Sequence, residues 1–344
     1  MKASQSDFDQ YDGHAVTAFH LENDNGVSAT ILSMGGIIHE YNVPSPAGET
    51  TNVLLSYPHT KDYYANPFYV NMLIGPAAGR IKQATFDVAG ETIKVTPNEG
   101  NNALHGGPHG FSFVNWDGTT DVTENGATLT LHHQFEQGAG DFPSMDVTVT
   151  YQLSNDDRLT LSFSGQADAP TLFNPTCHTY FNVDGSDTIK SQQLQLNSTR
   201  HLAVDAEKLP TGDFLDNAGT PYDFSQPTQL GTAIDGMTDT TEKGFDDIFE
   251  VTPAADHEIA QLKSTDSNRS VTLYSARNAL VVFTANSFTD DMALVNGHGH
   301  GAPWMGVALE AQNLSDATRF TNFGDITLLP GEPKHYEIAY QVHY

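Results

Sequence analysis

The chain has 344 residues, 38% of them apolar and 17% charged, a balance that suits a packed globular protein rather than a disordered one. Lysine and arginine number 15 against 43 aspartates and glutamates, a formal charge of −28 that repels phosphate backbones and anionic lipid head groups. Nucleic acid and membrane are therefore disfavoured as partners, and so is a strongly anionic substrate.

Cys177 is the single cysteine, so no intrachain disulfide is expected. The polar start from Met1 to Gly13 lacks the apolar stretch of a signal peptide, and no run reaches membrane-spanning length. These features lead to the expectation of a soluble, cytoplasmic protein. They carry no information on oligomeric state.

The first informative stretch runs from Gly75 to Gly107. It holds Gly79-Arg80-Ile81 and, later, Asn98-Glu99-Gly100-Asn101-Asn102-Ala103-Leu104-His105-Gly106-Gly107. Two glycines after His105 let the backbone turn sharply and leave the imidazole unshielded. Between these pieces Phe86 and Val88, then Ile93 and Val95, flank a turn at Ala89-Gly90-Glu91. Ala127, Leu129, Leu131, His133 and Phe135 share one face of the next strand. In Asp146–Leu153 the residues Val147, Val149, Tyr151 and Leu153 do the same. After the turn at 154–157, Leu159, Leu161 and Phe163 complete a hairpin.

Asn174-Pro175-Thr176-Cys177-His178-Thr179-Tyr180-Phe181-Asn182 and Gly244-Phe245-Asp246-Asp247 combine polar side chains with tight turns. Leu280–Ala285 is apolar at both parities and predicts a central strand buried on each side. In the stretch 306–312, a strand would put Val307 and Leu309 on one face and Gly306, Ala308, Glu310 and Gln312 on the other. The small neighbours would leave Glu310 on the floor of a hollow. Tyr336, Ile338, Tyr340, Val342 and Tyr344 form the last strand. With a period of two throughout, helices should be few and short. No linker or repeat divides the chain, so residues 1–344 are expected to form one all-β domain, a large antiparallel β-sandwich.

Taken singly, each polar piece has an ordinary explanation. A lone histidine in a β protein is usually a hydrogen-bonded structural residue, and Asp246 suits an Asx-turn. Trp116 and Trp304 read as core. His298-Gly299-His300 has no third ligand in register and reads as an exposed, flexible loop rather than a metal clip.

Together the pieces resemble the aldose 1-epimerase (galactose mutarotase) family in order and spacing. Arg80-Ile81 followed by Leu104-His105-Gly106-Gly107 is similar to its first signature. Asn174 to Asn182 resembles its N-x-T-x-H-x-Y-F-N segment, Gly244-Phe245-Asp246 its aspartate loop, and Leu309-Glu310-Ala311-Gln312 its C-terminal signature. The resemblance implies a large β-sandwich and exchange of the α and β anomers of a free aldose by acid–base ring opening, with no cofactor and no metal. It implies His178 as proton donor and Glu310 as proton acceptor. It also implies Arg80, His105 and Asp246 as holders of the sugar hydroxyls, with Tyr180 lining the site. Departures from the family pattern fall at Pro76, Gly79, Asp247 and Val281, where the family often has Arg, Asn, His and a sugar-contacting Gln. They bear on the choice of sugar, whether glucose, galactose or a reducing disaccharide such as maltose.

Anomer exchange removes the O1 proton and protonates the ring oxygen, so one fixed base and one fixed acid suffice. A carboxylate and an imidazolium in opposite protonation states near neutrality are expected. The rival readings are a non-catalytic sugar-binding sandwich, a hexose-6-phosphate 1-epimerase, and a glycoside hydrolase with paired carboxylates.

Overall fold

Alternate residues of a strand point to opposite faces, so each period-two segment can bury one side only if a second layer covers it. The computed structural model, which describes residues 1–45, 50–138, 140–295 and 297–344, shows how this chain meets that demand. A nine-stranded sheet runs in the order Asp117–Thr123, Gly126–Phe135, Met145–Leu153, Arg158–Ala167, Lys334–His343, Ser270–Tyr274, Glu258–Lys263, Gln193–Leu196, Thr228–Gln229. A six-stranded sheet runs in the order Tyr180–Phe181, Val307–Gln312, Ala279–Phe283, Asp246–Glu250, Arg200–Val204, Pro210–Asp216. The ladders of both are antiparallel. A five-stranded sheet is built from the first 52 residues, ending at Thr50–Asn52.

Leu131, Val149, Leu161, Ile338 and Tyr340 from the nine-stranded sheet meet Leu280, Val282, Val307 and Leu309 from the six-stranded sheet in one buried cluster. Each such Leu, Ile or Val contributes roughly 1.5–3 kcal/mol relative to an exposed position. The expected β-sandwich is therefore the observed one. The expected hairpin pairs Leu153 with Leu159, and Tyr151 with Leu161. The α-helices among the described residues, Thr60–Tyr64 and Leu230–Asp235, are one to two turns long. Among the described residues no helix is long and apolar enough to cross a membrane.

One expectation needs correction. The strand Ala279–Phe283 is central, but only Ala279, Leu280 and Val282 are buried; Val281 and Phe283 are half-buried and line a cavity. Both parities are apolar because one face packs on the opposing sheet and the other floors an open pocket. The six-stranded sheet is thus core on one side and site on the other.

Candidate active site

Strand register sets out the floor of the site. In an antiparallel ladder, residues directly opposite each other project to the same face. Ala308 lies opposite both Tyr180 and Phe283, and Phe283 lies opposite Asp246. Two residues along, Glu310 lies opposite Val281, and Val281 opposite Ile248. This face bounds a cavity of about 440 Å³, whose lining includes Arg80, His105, His178, Tyr180, Asp246 and Glu310. All six residues singled out from the sequence therefore meet in one place.

His178 follows the two-residue strand Thr176–Cys177, which pairs with Leu73–Ile74. Asn71 fixes the chain around it: its N–H donates to the His178 carbonyl (2.9 Å), and its Oδ1 accepts the Tyr180 N–H (2.8 Å). Arg80 and His105 come together through a short ladder in which Leu104 lies opposite Arg80. His105 has a left-handed backbone (φ 53°), a strained state that the next turn must enforce. Gly106 makes that turn possible, because a Cβ there would lie 1.9 Å from the Gly75 carbonyl oxygen.

His178 Nε2 lies 3.3 Å from Glu310 Oε1. The two groups touch directly on one wall rather than facing each other across the cavity. With His105 they form a buried triangle whose ligand-type atoms lie within 4.8 Å of one another. Glu310 Oε2 and His178 Nδ1 are buried and have no hydrogen-bond partner among the described residues. An unpaired buried carboxyl oxygen facing a cavity is a costly arrangement that an incoming hydroxyl would relieve.

Burial dominates the protonation states. It pushes the Glu310 carboxyl up to about 8, helped by the nearby Asp246 charge and opposed by Arg80. It pulls the His178 imidazole down to about 3. His105 is also held well below its ordinary value, by burial first and then by His178 and Arg80. Burial therefore favours the neutral form of each group, a protonated Glu310 carboxyl and an unprotonated His178 imidazole, and opposes the carboxylate–imidazolium pair. Both charges lose hydration at this buried wall, so the single proton of the pair rests on the group that is neutral with it. His105 Nδ1 accepts the Gly79 N–H (3.3 Å), which leaves its Nε2 as the N–H donor of the neutral ring.

Other expectations are adjusted in detail. Arg80 forms a bidentate pair with Glu99 through Nε (2.6 Å) and Nη2 (2.8 Å), which fixes the guanidinium plane and leaves Nη1 outside that pair. His105 is buried rather than unshielded. Asp246 opens a strand instead of sitting in an Asx-turn, with Lys208 Nζ 3.9 Å from its Oδ2. The Tyr180 hydroxyl donates to the Phe68 carbonyl (3.0 Å), and the Tyr180 ring stacks on His178 at 5.1 Å. Tyr180 therefore braces the imidazole. Gly306 does not widen the hollow, since Leu55 Cδ1 lies 2.6 Å from where its Cβ would be. Gly299 and His300 are exposed, as expected, and His300 Nδ1 donates to the Asp290 carbonyl (2.7 Å). Trp116 is core and neither tryptophan lines the cavity.

The sequence profile of the aldose 1-epimerase family matches residues 17–341. The chain belongs to the aldose 1-epimerase family.

Among similar members of the family, a maltose epimerase of Levilactobacillus brevis is 39% identical over 95% of this chain and 94% of its own length. An aldose 1-epimerase of Streptococcus thermophilus is 34% identical, covering 99% and 98%. The crystal structure of a galactose 1-epimerase from Lactobacillus acidophilus superposes with a TM-score of 0.85 at 26% identity, covering 99% of this chain and 98% of that one. This chain is accordingly an isomerase that interconverts the anomers of aldoses. Against the family pattern, Val281 stands on the floor directly opposite Glu310, and Gly79 lies where a Cβ would meet Ser315 Oγ at 2.2 Å. Glu99, Lys208 and Tyr69 line this aldose 1-epimerase cavity without having drawn attention in the sequence. Glu99 lies in the Asn98–Gly107 segment, but its pairing with Arg80 depends on the ladder.

Proposed function

We propose that this protein interconverts the α and β pyranose anomers of a free hexose, glucose or galactose, with Glu310 as proton acceptor and His178 as proton donor. The observation that carries this reading is the 3.3 Å contact between His178 Nε2 and Glu310 Oε1 at a cavity wall. Glu310 takes the O1 proton as its own proton passes to His178, and His178 delivers that proton to O5. The C1–O1 bond becomes the carbonyl, the C1–O5 bond breaks, rotation about C1–C2 presents the other carbonyl face, and reclosure reverses both transfers. The number of protons on the pair is unchanged over the cycle. Arg80, His105 and Asp246 orient the ring through its hydroxyls, where small misplacements are costly.

A reducing disaccharide such as maltose is a second substrate reading, favoured by the 39% identical maltose epimerase. A sugar phosphate is not, because both lining Lys and Arg side chains are already paired: Arg80 with Glu99, and Lys208 with Glu242 (2.8 Å). We place the activity in the cytoplasm, in keeping with a buried free thiol at Cys177. Polarimetry of freshly dissolved α-glucose, α-galactose and β-maltose tests the reading. Faster decay to the equilibrium rotation with protein than without supports it. Unchanged decay for all three sugars, with binding retained, would leave a non-catalytic sugar-binding protein.

A further inference from the structure

In a pyranose the C1–O5 edge lies across the ring from C3 and C4. If C1 and O5 face Glu310 and His178, both almost fully buried, a substituent on O4 must point away from the wall and toward the mouth. The side chains there decide whether a second sugar is tolerated or held.

A line of rings leads from that wall to the rim. Tyr69 stacks beside His178 with centroids 6.4 Å apart and an interplanar angle of 20°, and Phe113 follows at 6.0 Å from Tyr69. Tyr64 closes the group at 6.0 Å from Phe113. Phe113 is 38% exposed, one of four large apolar side chains so exposed among the described residues, and it lines the cavity. A single exposed phenylalanine is unremarkable. Three rings fixed around one mouth are not scattered exposure. The Tyr64 hydroxyl donates to the Ser112 carbonyl (2.6 Å), and its ring stacks on Tyr11 at 4.5 Å. Tyr69 is held in a left-handed backbone (φ 49°), and its hydroxyl accepts from Asn98 Nδ2 (3.3 Å). The group is therefore ordered before any ligand arrives, which lowers the entropic cost of binding.

We propose that Phe113, backed by Tyr64 and Tyr69, is the platform for the non-reducing ring of a 4-linked glucosyl disaccharide, and so a specificity-determining residue. A glucopyranose carries its hydroxyls equatorially and presents C–H faces that suit an aromatic surface. This assignment rests on the reading that Glu310 and His178 anomerise the reducing ring.

The test compares wild type, Phe113→Ala and Phe113→Trp on β-maltose, isomaltose and α-glucose by polarimetry, with calorimetric binding of maltose alongside. Phe113→Ala should raise KM and Kd for maltose about five- to tenfold and leave kcat/KM for glucose within about twofold. Phe113→Trp should restore maltose, and the 6-linked isomaltose should respond less than maltose. Equal losses on maltose and glucose, or no loss on either, would overturn the platform. Maltose binding that weakens in Phe113→Ala while wild type turns over no sugar would keep the platform and overturn the catalytic reading instead.

Discussion

Glu310 and His178 carry the account at the level of single residues. Two buried groups in contact titrate as a pair, and burial widens the one-proton range by pulling the imidazole down to about 3 and pushing the carboxyl up to about 8. The one-proton form alone contains both an acid and a base. Stopped-flow polarimetry should show kcat level through the acid and neutral range, then falling about tenfold per unit above pH 8; a rate still level at pH 10 would be incompatible with this. The same shift burdens the fold. The Glu310 pKa is raised in the folded state, so its stabilising effect is complete below pH 4.5 and is lost as pH rises toward 8. Glu310→Gln, which stays neutral, should therefore melt above wild type. The gap should open near pH 4.5 and widen by up to about 1.4 kcal/mol per pH unit until about pH 8. Equal melting temperatures at pH 7.5 would show that the carboxyl is ionised there without cost.

Secondary-structure elements hold these residues in place. Alternation along 306–312 gives Glu310 a face opposite Leu309, and it is readable because a strand's parity is a local property. What fills each position on that face is not local: Leu55 packs on Gly306, Tyr180 on Ala308, and Val281 stands beside Glu310. Tyr69 escaped sequence reading for a similar reason, because its direction follows from a left-handed backbone rather than from a period. Between the elements, Arg277 acts as a cross-tie. It is 4% exposed, and its guanidinium donates to the carbonyls of Pro175 and Ala311, three residues before His178 and one after Glu310. Its charge is retained, with burial drawing its pKa only to about 10. Arg277→Met leaves the buried Pro175 carbonyl without its donor, at about 1–3 kcal/mol, while the Ala311 carbonyl keeps the Thr176 hydroxyl (2.8 Å). It should lower the melting temperature and kcat together, and Arg277→Lys should recover part of each. A fully active, equally stable Arg277→Met would remove this tie from the account.

For the molecule as a whole, the sandwich was readable from period two, and the position of the site was not. The motifs showed that the polar residues belong together. Only the pairing of the six-stranded sheet makes one of its faces core and the other floor. The net charge of −28 acts at this scale too, through repulsion among surface carboxylates in the folded state. Raising NaCl from about 0.05 to 1 M shortens the screening length to about 3 Å and should raise the melting temperature by several degrees. The rate on a neutral sugar should barely change. A melting temperature independent of salt would mean that the acidic surface is already compensated.

Optical rotation of fresh α-glucose in the presence of Glu310→Gln bears most directly on all of this. With the variant folded and sugar bound, the rotation should relax no faster than in buffer. Relaxation at more than about a tenth of the wild-type rate would show that another group takes the O1 proton, and the Glu310–His178 couple would no longer stand as the centre of the reaction.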